Sequence, residues 1–321
     1  MSNGSFPPTP GRLRGALVTV AVVAVVCAAG WLAWYALRDD GGRDAGAAAE
    51  ARHTPTGSAA PHTGDTGGTG HTGQTSHTGS GQADRADDSG TSGNSRKKPL
   101  KGMVVVIDPG HNPHNNEHTA EIARQVDIGN ARKECDTTGT ATNSGYPEAS
   151  YTLDVSRRVR KLLEAQGAKV VFTQDGDRRY GPCVDERARI GNRAHADAVV
   201  SVHADGAGPG NRGFHVIAPA PVHRGKADTS KIVAPSRALA DQLISRFGQA
   251  TESKPANYLG GGSGLTVRDD LGGLNLSTVP KVFIECGNMR DREDAARLTD
   301  AHWREQAARG IAQGITDFLR G

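Results

Sequence analysis

Val104-Val105-Val106-Ile107-Asp108-Pro109-Gly110-His111 is the stretch that decides how this chain folds. Four β-branched apolar residues in a row read as a short buried strand. Pro109 and Gly110 end it abruptly. A histidine therefore arrives just past the strand's carboxyl end, the edge where open α/β sheets bind their ligands. Taken alone, a histidine in such a place is more often a loop residue than a metal ligand.

The same device recurs downstream. Ala198-Val199-Val200-Ser201-Val202-His203-Ala204-Asp205 is a second buried run that ends in a histidine, and Val282-Phe283-Ile284-Glu285-Cys286-Gly287-Asn288 is a third that ends in a glutamate. If the three strands are parallel neighbours, their carboxyl ends meet on one edge, with two imidazoles and a carboxylate in one crevice. Glu148, in the first turn of a helical pattern starting near Tyr151, is a fourth candidate. Two histidines and one carboxylate with an open position form a ligand set for catalytic zinc. Zinc lowers the pKa of its bound water to about 7 and polarises a carbonyl. A further carboxylate must then take the water's proton and pass it to the leaving group. The competing reading makes His203 a satisfied strand-end histidine and Glu285 an ion-pair partner. Three such strand ends in one domain weigh against it.

Around these runs, residues 168–173 and 213–218 also read as strands. Tyr151 to Gln166, Asp185 to Ala196, Pro235 to Gly248 and Ala301 to Leu319 carry helical periodicity. Strands alternating with helices predict an α/β domain over residues 100–321, with a central mostly parallel or mixed sheet covered by helices on both faces.

The chain has 321 residues, 36% of them hydrophobic and 4% aromatic, with a net charge of +3. That composition argues against a nucleic-acid binder, which needs a basic face with stacking aromatics. Residues 1–14 form a polar tail with Arg12 and Arg14, expected on the cytoplasmic side. Residues 15–37 carry no charge and end in Trp31, Trp34 and Tyr35. About 20 apolar residues suffice to cross a bilayer, and aromatic residues favour its interface. A single membrane-spanning helix is expected, with the catalytic bulk outside. A cleaved signal peptide is the alternative and would make the protein secreted. Residues 38–99 are rich in Gly, Thr, Ser and His, with His-Thr-Gly repeated at His62, His71 and His77. Such a composition cannot bury enough apolar surface to order itself, and it reads as a disordered linker.

Of the four cysteines, Cys27 lies in the apolar run and Cys286 next to a predicted strand, while Cys135 and Cys183 lie in polar loops. No CxxC pair is present, which disfavours a thiolate zinc site. The two loop cysteines suit a disulfide if the domain lies outside the cytoplasm.

Val104 to His111, Gly145 to Leu153, Ser201 to Asp205 and Val282 to Asn288 together resemble, in order, the four signature blocks of the zinc-dependent N-acetylmuramoyl-L-alanine amidases of the amidase-3 family. Glu186-Arg187-Ala188 and Asn192 also fit that pattern. The stretch Gly181 to Arg187 is similar to secreted members with a Cys-loop. The resemblance implies His111, Glu148 and His203 as zinc ligands and Glu285 as catalytic base. It implies peptidoglycan as the partner, cut between N-acetylmuramic acid and the L-alanine of its stem peptide. Asp205 and Asn275 depart from the residues many members carry, an asparagine and an arginine. Asn275 is kept as a substrate contact, and the departures put substrate preference in question rather than metal binding. A monomer is expected, and a Cys135–Cys183 disulfide, with two free thiols as the alternative.

Residues 112–147 form a long connection with little hydrophobic periodicity, and such loops are usually functional. Its polar tip, Gly129 to Glu134, is expected to be a mobile hairpin at the mouth of the crevice. It would cover the metal, bring Glu134 to it, or hold the glycan through Arg132 and Lys133; a passive surface loop is the alternative. Two other functions stay open: a non-catalytic wall-binding protein on the same fold, and a zinc peptidase cutting within the stem peptide.

Overall fold

The run Val104–Pro109 is an inner strand of a six-stranded sheet, in a computed structural model that describes residues 98–321. In chain order the strands are β1 (Val104–Pro109), β2 (Gln125–Asp127), β3 (Arg132–Glu134), β4 (Lys169–Phe172), β5 (Ala198–Asp205), β6 (His215–Pro219), β7 (His223–Arg224), β8 (Ala227–Asp228), β9 (Leu265–Arg268) and β10 (Lys281–Asn288). The helices are α1 (Thr119–Ile122), α2 (Glu148–Ala165), α3 (Val184–Arg193), α4 (Val233–Thr251), α5 (Gly272–Asn275), α6 (Arg292–Thr299) and α7 (Ala301–Arg320). The expected membrane helix, tail and linker lie outside the described residues. Among the described residues, no helix is long and apolar enough to cross a membrane.

The sheet runs β4-β1-β5-β10-β6-β9. β4, β1, β5 and β10 are mutually parallel, β6 is antiparallel to β10, and β9 is parallel to β6. The three strands read from the sequence as parallel neighbours are therefore adjacent, in the order β1-β5-β10. Side chains alternate between sheet faces. Val105, Ile107, Val200, Val202, Val282 and Ile284 form one face and pack with residues of α2, α4 and α7 in the main core. That packing is tight where α7 crosses α4. A Cβ on Gly310 would lie 2.8 Å from Phe247 Cα, and one on Gly314 2.9 Å from Leu243 Cα.

The opposite face changes character along its length. Near the amino ends of the strands, Val106 and Val199 form a small apolar cluster with Ala196. Beside them Lys281 opens β10 opposite Val199, and toward the carboxyl ends the row continues as Asp108, Ser201, His203 and Glu285, polar and largely buried. A third cluster, Val126, Ile128, Cys135 and Cys183, joins the β2–β3 hairpin to the start of α3.

Helix α2 begins at Glu148, three residues before the periodic pattern. Pro147 supplies an extended N-cap, and a carboxylate in the first turn suits the helix dipole. The connection over 112–147 contains the expected hairpin, with Gln125 opposite Glu134 and Asp127 opposite Arg132. Its tip, however, is docked. Ile128 is fully buried. The Gly129 carbonyl accepts from Lys226 N at 3.0 Å, and Asn130 Nδ2 donates to Asp269 O at 2.7 Å. Strand β9, four residues between a glycine cluster and Asp269-Asp270, carries too short a pattern to be read from sequence.

Candidate metal centre

The turn after β1 requires Gly110: a Cβ there would sit 2.4 Å from the His203 ring. His111 follows with φ at +60°, a left-handed conformation that non-glycine residues rarely adopt. Two donors hold its carbonyl, Gln174 Nε2 and an Arg187 guanidinium nitrogen, both at 3.0 Å. The ring is fixed as well. His111 Nδ1 donates to Thr137 O at 3.1 Å. A carbonyl can only accept, so Nδ1 carries a proton, which leaves Nε2 as the nitrogen that a metal would take.

His111 Nε2 lies 3.1 Å from Glu148 Oε1, and His203 Nδ1 lies 2.9 Å from the same oxygen. Glu148 is held from behind, as Oε2 accepts from Thr140 N at 2.9 Å and Oε1 from Ala204 N at 3.2 Å. One donor atom from each of His111, Glu148 and His203 lies within 4.8 Å of the others. Two nitrogens and one carboxylate oxygen on three separate elements fit a zinc ion with three protein ligands. The surrounding field favours positive charge. Burial lowers the His111 pKa, but Glu148 and Asp136 more than offset it and raise it to about 10. Burial would push the Glu148 carboxyl up, yet His111 and His203 hold it well below the usual range.

Glu285 is the register neighbour of His203, and His215 is the next neighbour across β6. Glu285 Oε2 is buried without a hydrogen-bond partner. Burial, then the Glu148 and Asp205 carboxylates, push its carboxyl well above its ordinary range. Phe283 stacks on the His203 ring at 5.2 Å. A cavity of about 500 Å³ opens beside the two histidines, between the hairpin, the start of α3 and the β9–α5 connection. A second, of about 410 Å³, opens over Glu148, Glu285 and Arg268.

The other candidates divide. Cys135 and Cys183 form a disulfide. Lys133 reaches the rim of the larger cavity, paired with Asp270 at 2.7 Å. Arg132 turns away, onto the Gln125 carbonyl at 2.9 Å. Asn275 does not reach the cleft. It is 1% exposed, and its amide nitrogen donates to Asn130 and to the Asp269 carbonyl, so its role is to tie α5 to the hairpin. Glu134 stands on the cavity rim and does not belong to the three-residue ligand group. Sequence reasoning assigned no role to Asp136, Thr137 or Arg187. Arg187 stood in a quoted motif, but nothing local signals that it is buried.

The family described as N-acetylmuramoyl-L-alanine amidase matches residues 105–317, and the chain belongs to that family. The chain is 42% identical over 222 residues to the N-acetylmuramoyl-L-alanine amidase Rv3717 of Mycobacterium tuberculosis, covering 68% of this chain and 88% of that protein. It is 26% identical to the amidase LytC of Bacillus subtilis, covering 70% of this chain and 37% of LytC. The crystal structure of the N-acetylmuramyl-L-alanine amidase Ami1 of Mycobacterium smegmatis superposes with a TM-score of 0.62 at 41% identity, covering 68% of this chain and 98% of that one.

Proposed function

We propose that this protein hydrolyses the amide between N-acetylmuramic acid and the L-alanine of the stem peptide in peptidoglycan, with His111, Glu148 and His203 holding zinc and Glu285 serving as base. The observation that carries the reading is the convergence of three ligand atoms within 4.8 Å beside a register neighbour, Glu285, that keeps one oxygen unpartnered. Zinc, when bound, supplies a water of lowered pKa and polarises the scissile carbonyl. Glu285 takes the proton of the attacking water and returns it to the nitrogen of L-alanine as the carbon–nitrogen bond breaks. Its burial and acidic neighbours favour the protonated form it needs as donor in the second step. Thr137 and Thr140 keep His111 and Glu148 aimed at one point. Phe283 and Leu271 line both cavities and form an apolar wall beside the reacting groups.

The same reading places the catalytic domain outside the cytoplasm as a monomer, anchored by residues 15–37. Their lack of charge and the preceding Arg12 and Arg14 support it. Retention in the membrane fraction after an alkaline wash checks the anchor.

Digestion of purified peptidoglycan followed by mass analysis tests the activity. Free lactyl ends with intact stem peptides are expected, lost on chelation and restored by zinc. Cut peptides would make the protein a peptidase. Unchanged wall from metal-loaded protein would make it non-catalytic.

A further inference from the structure

Arg187 lies in α3 and is 5% exposed, yet its guanidinium serves the opposite side of the metal centre. Nε donates to Pro182 O at 2.9 Å. Nη1 donates to Asp108 Oδ1 and to Pro109 O, both at 2.7 Å. Nη2 donates to His111 O at 3.0 Å and to Asp136 Oδ2 at 2.9 Å. The carbonyls of Pro109 and His111 are the ends of the turn that swings His111 into its left-handed conformation.

Asp136 extends the grip to the ring. Its Oδ1 accepts from Thr137 N at 2.8 Å, which fixes the residue whose carbonyl receives the His111 Nδ1 proton. The same oxygen lies 3.6 Å from His111 Nδ1. One guanidinium nitrogen therefore references both the backbone of His111 and the carboxylate behind its outer ring nitrogen. Covalent chemistry closes the unit. Cys135 precedes Asp136 and is bonded to Cys183, the N-cap of α3, and Val184 N donates to Cys135 O at 2.7 Å.

Resting on the reading of His111 as a zinc ligand, we propose that Arg187, acting through Asp136, is the positioning residue for His111. It fixes the backbone and outer ring nitrogen of that ligand and thereby sets the affinity for zinc. A lysine cannot replace it, because a single ammonium cannot span two carboxylates and the carbonyls of Pro109 and His111 in one plane.

Competition against a chromogenic chelator, on purified full-length protein, measures zinc affinity directly. Asp136→Asn keeps the shape and removes the charge; Arg187→Lys keeps the charge and removes the fork. Outer partners of metal-bound histidines are worth roughly 10–100-fold in affinity. Each variant should lose about that factor, and the double variant should lose no more than the worse single variant, as expected for one unit. Circular dichroism and mapping of the Cys135–Cys183 linkage report folding. If Arg187→Lys does not fold, Asp136→Asn decides alone. Wild-type protein that binds zinc, with a folded Asp136→Asn variant within about threefold of it, overturns the proposal. So does an Arg187→Lys variant that melts earlier but binds zinc normally in its folded fraction, which would make Arg187 merely architectural. Wild-type protein that binds no zinc overturns instead the underlying assignment of His111, and the proposal with it.

Discussion

Glu285 and His203 are register partners on adjacent parallel strands, β10 and β5. Their side chains leave the sheet on the same face, and the backbones that carry them are held about 4.8 Å apart by the hydrogen-bond ladder. The spacing between the proposed base and the proposed ligand is thus a property of the sheet and not of any loop.

Glu285→Gln should therefore keep its zinc and lose turnover by about 10²–10⁴-fold, the usual contribution of a positioned general base. Metal content by elemental analysis, alongside kcat on solubilised wall, checks it. Loss of zinc from this variant would make Glu285 a ligand.

His111→Ala and His203→Ala should each lose metal, and Glu148→Gln should weaken its binding. The three residues belong to separate parts of the fold: the turn after β1, the start of α2 and the end of β5. Zinc at a hundred times its dissociation constant should then stabilise the native state by about 2.7 kcal/mol. A melting temperature that does not fall when a chelator is added would contradict that linkage.

Reducing the Cys135–Cys183 bond, which spans a sequence separation of 48, should cost about 4 kcal/mol in the chain-entropy model. Denaturant midpoints with and without reductant measure this. Peptide mapping of protein made in an oxidising compartment should recover the linked pair.

Asp108 is fully buried between Lys281 at 3.1 Å and Arg187 at 2.7 Å. Burial pushes its carboxyl up, but the two cations and a Thr173 hydrogen bond hold it far below the usual range. A folded pKa depressed in this way stabilises the protein fully above the unfolded value of about 3.9. That stability is lost as pH falls through the folded value. Asp108→Asn leaves two buried cations short of a counter-charge and should cost about 3–5 kcal/mol at neutral pH. Urea titrations at pH 7 and pH 3 check both sign and size. The gap between wild type and variant should shrink at the lower pH, and a constant gap would refute the electrostatic account.

Lys133 and Asp270 are 45% and 41% exposed, and such a pair contributes at most about 1 kcal/mol. Lys133→Ala should leave stability nearly unchanged. If Lys133 holds substrate at the rim, KM for a muramoyl-peptide rises while zinc content stays constant. An unchanged KM removes it from the substrate contacts.

His111, His203 and Glu285 are legible in the sequence because each follows a β-branched run that must be a buried strand, and parallel strands deliver their carboxyl ends to one edge. Glu148 is legible as a carboxylate at a helix start. Arg187 is not. A charged residue in the first turns of an amphipathic helix reads as solvated, and only the tertiary fold places Asp108, Asp136 and two bare carbonyls around it. Asn275 misleads for the converse reason: a place near the position where many family members carry an arginine says nothing of the burial that Asn130 and Asp269 impose on it. The hairpin is readable from its polar, turn-rich composition, but its docking to Asp269 and Asp270 depends on a connection more than a hundred residues away.

The two glycines of α7 bear on how the protein is handled. Gly310 and Gly314 let that helix lie backbone to backbone against α4, over Phe247 and Leu243. A gene shortened before codon 310 would yield a polypeptide with those two side chains uncovered, prone to aggregate during production. A stop placed to trim the final helix therefore trades a shorter protein for one with an uncovered apolar face.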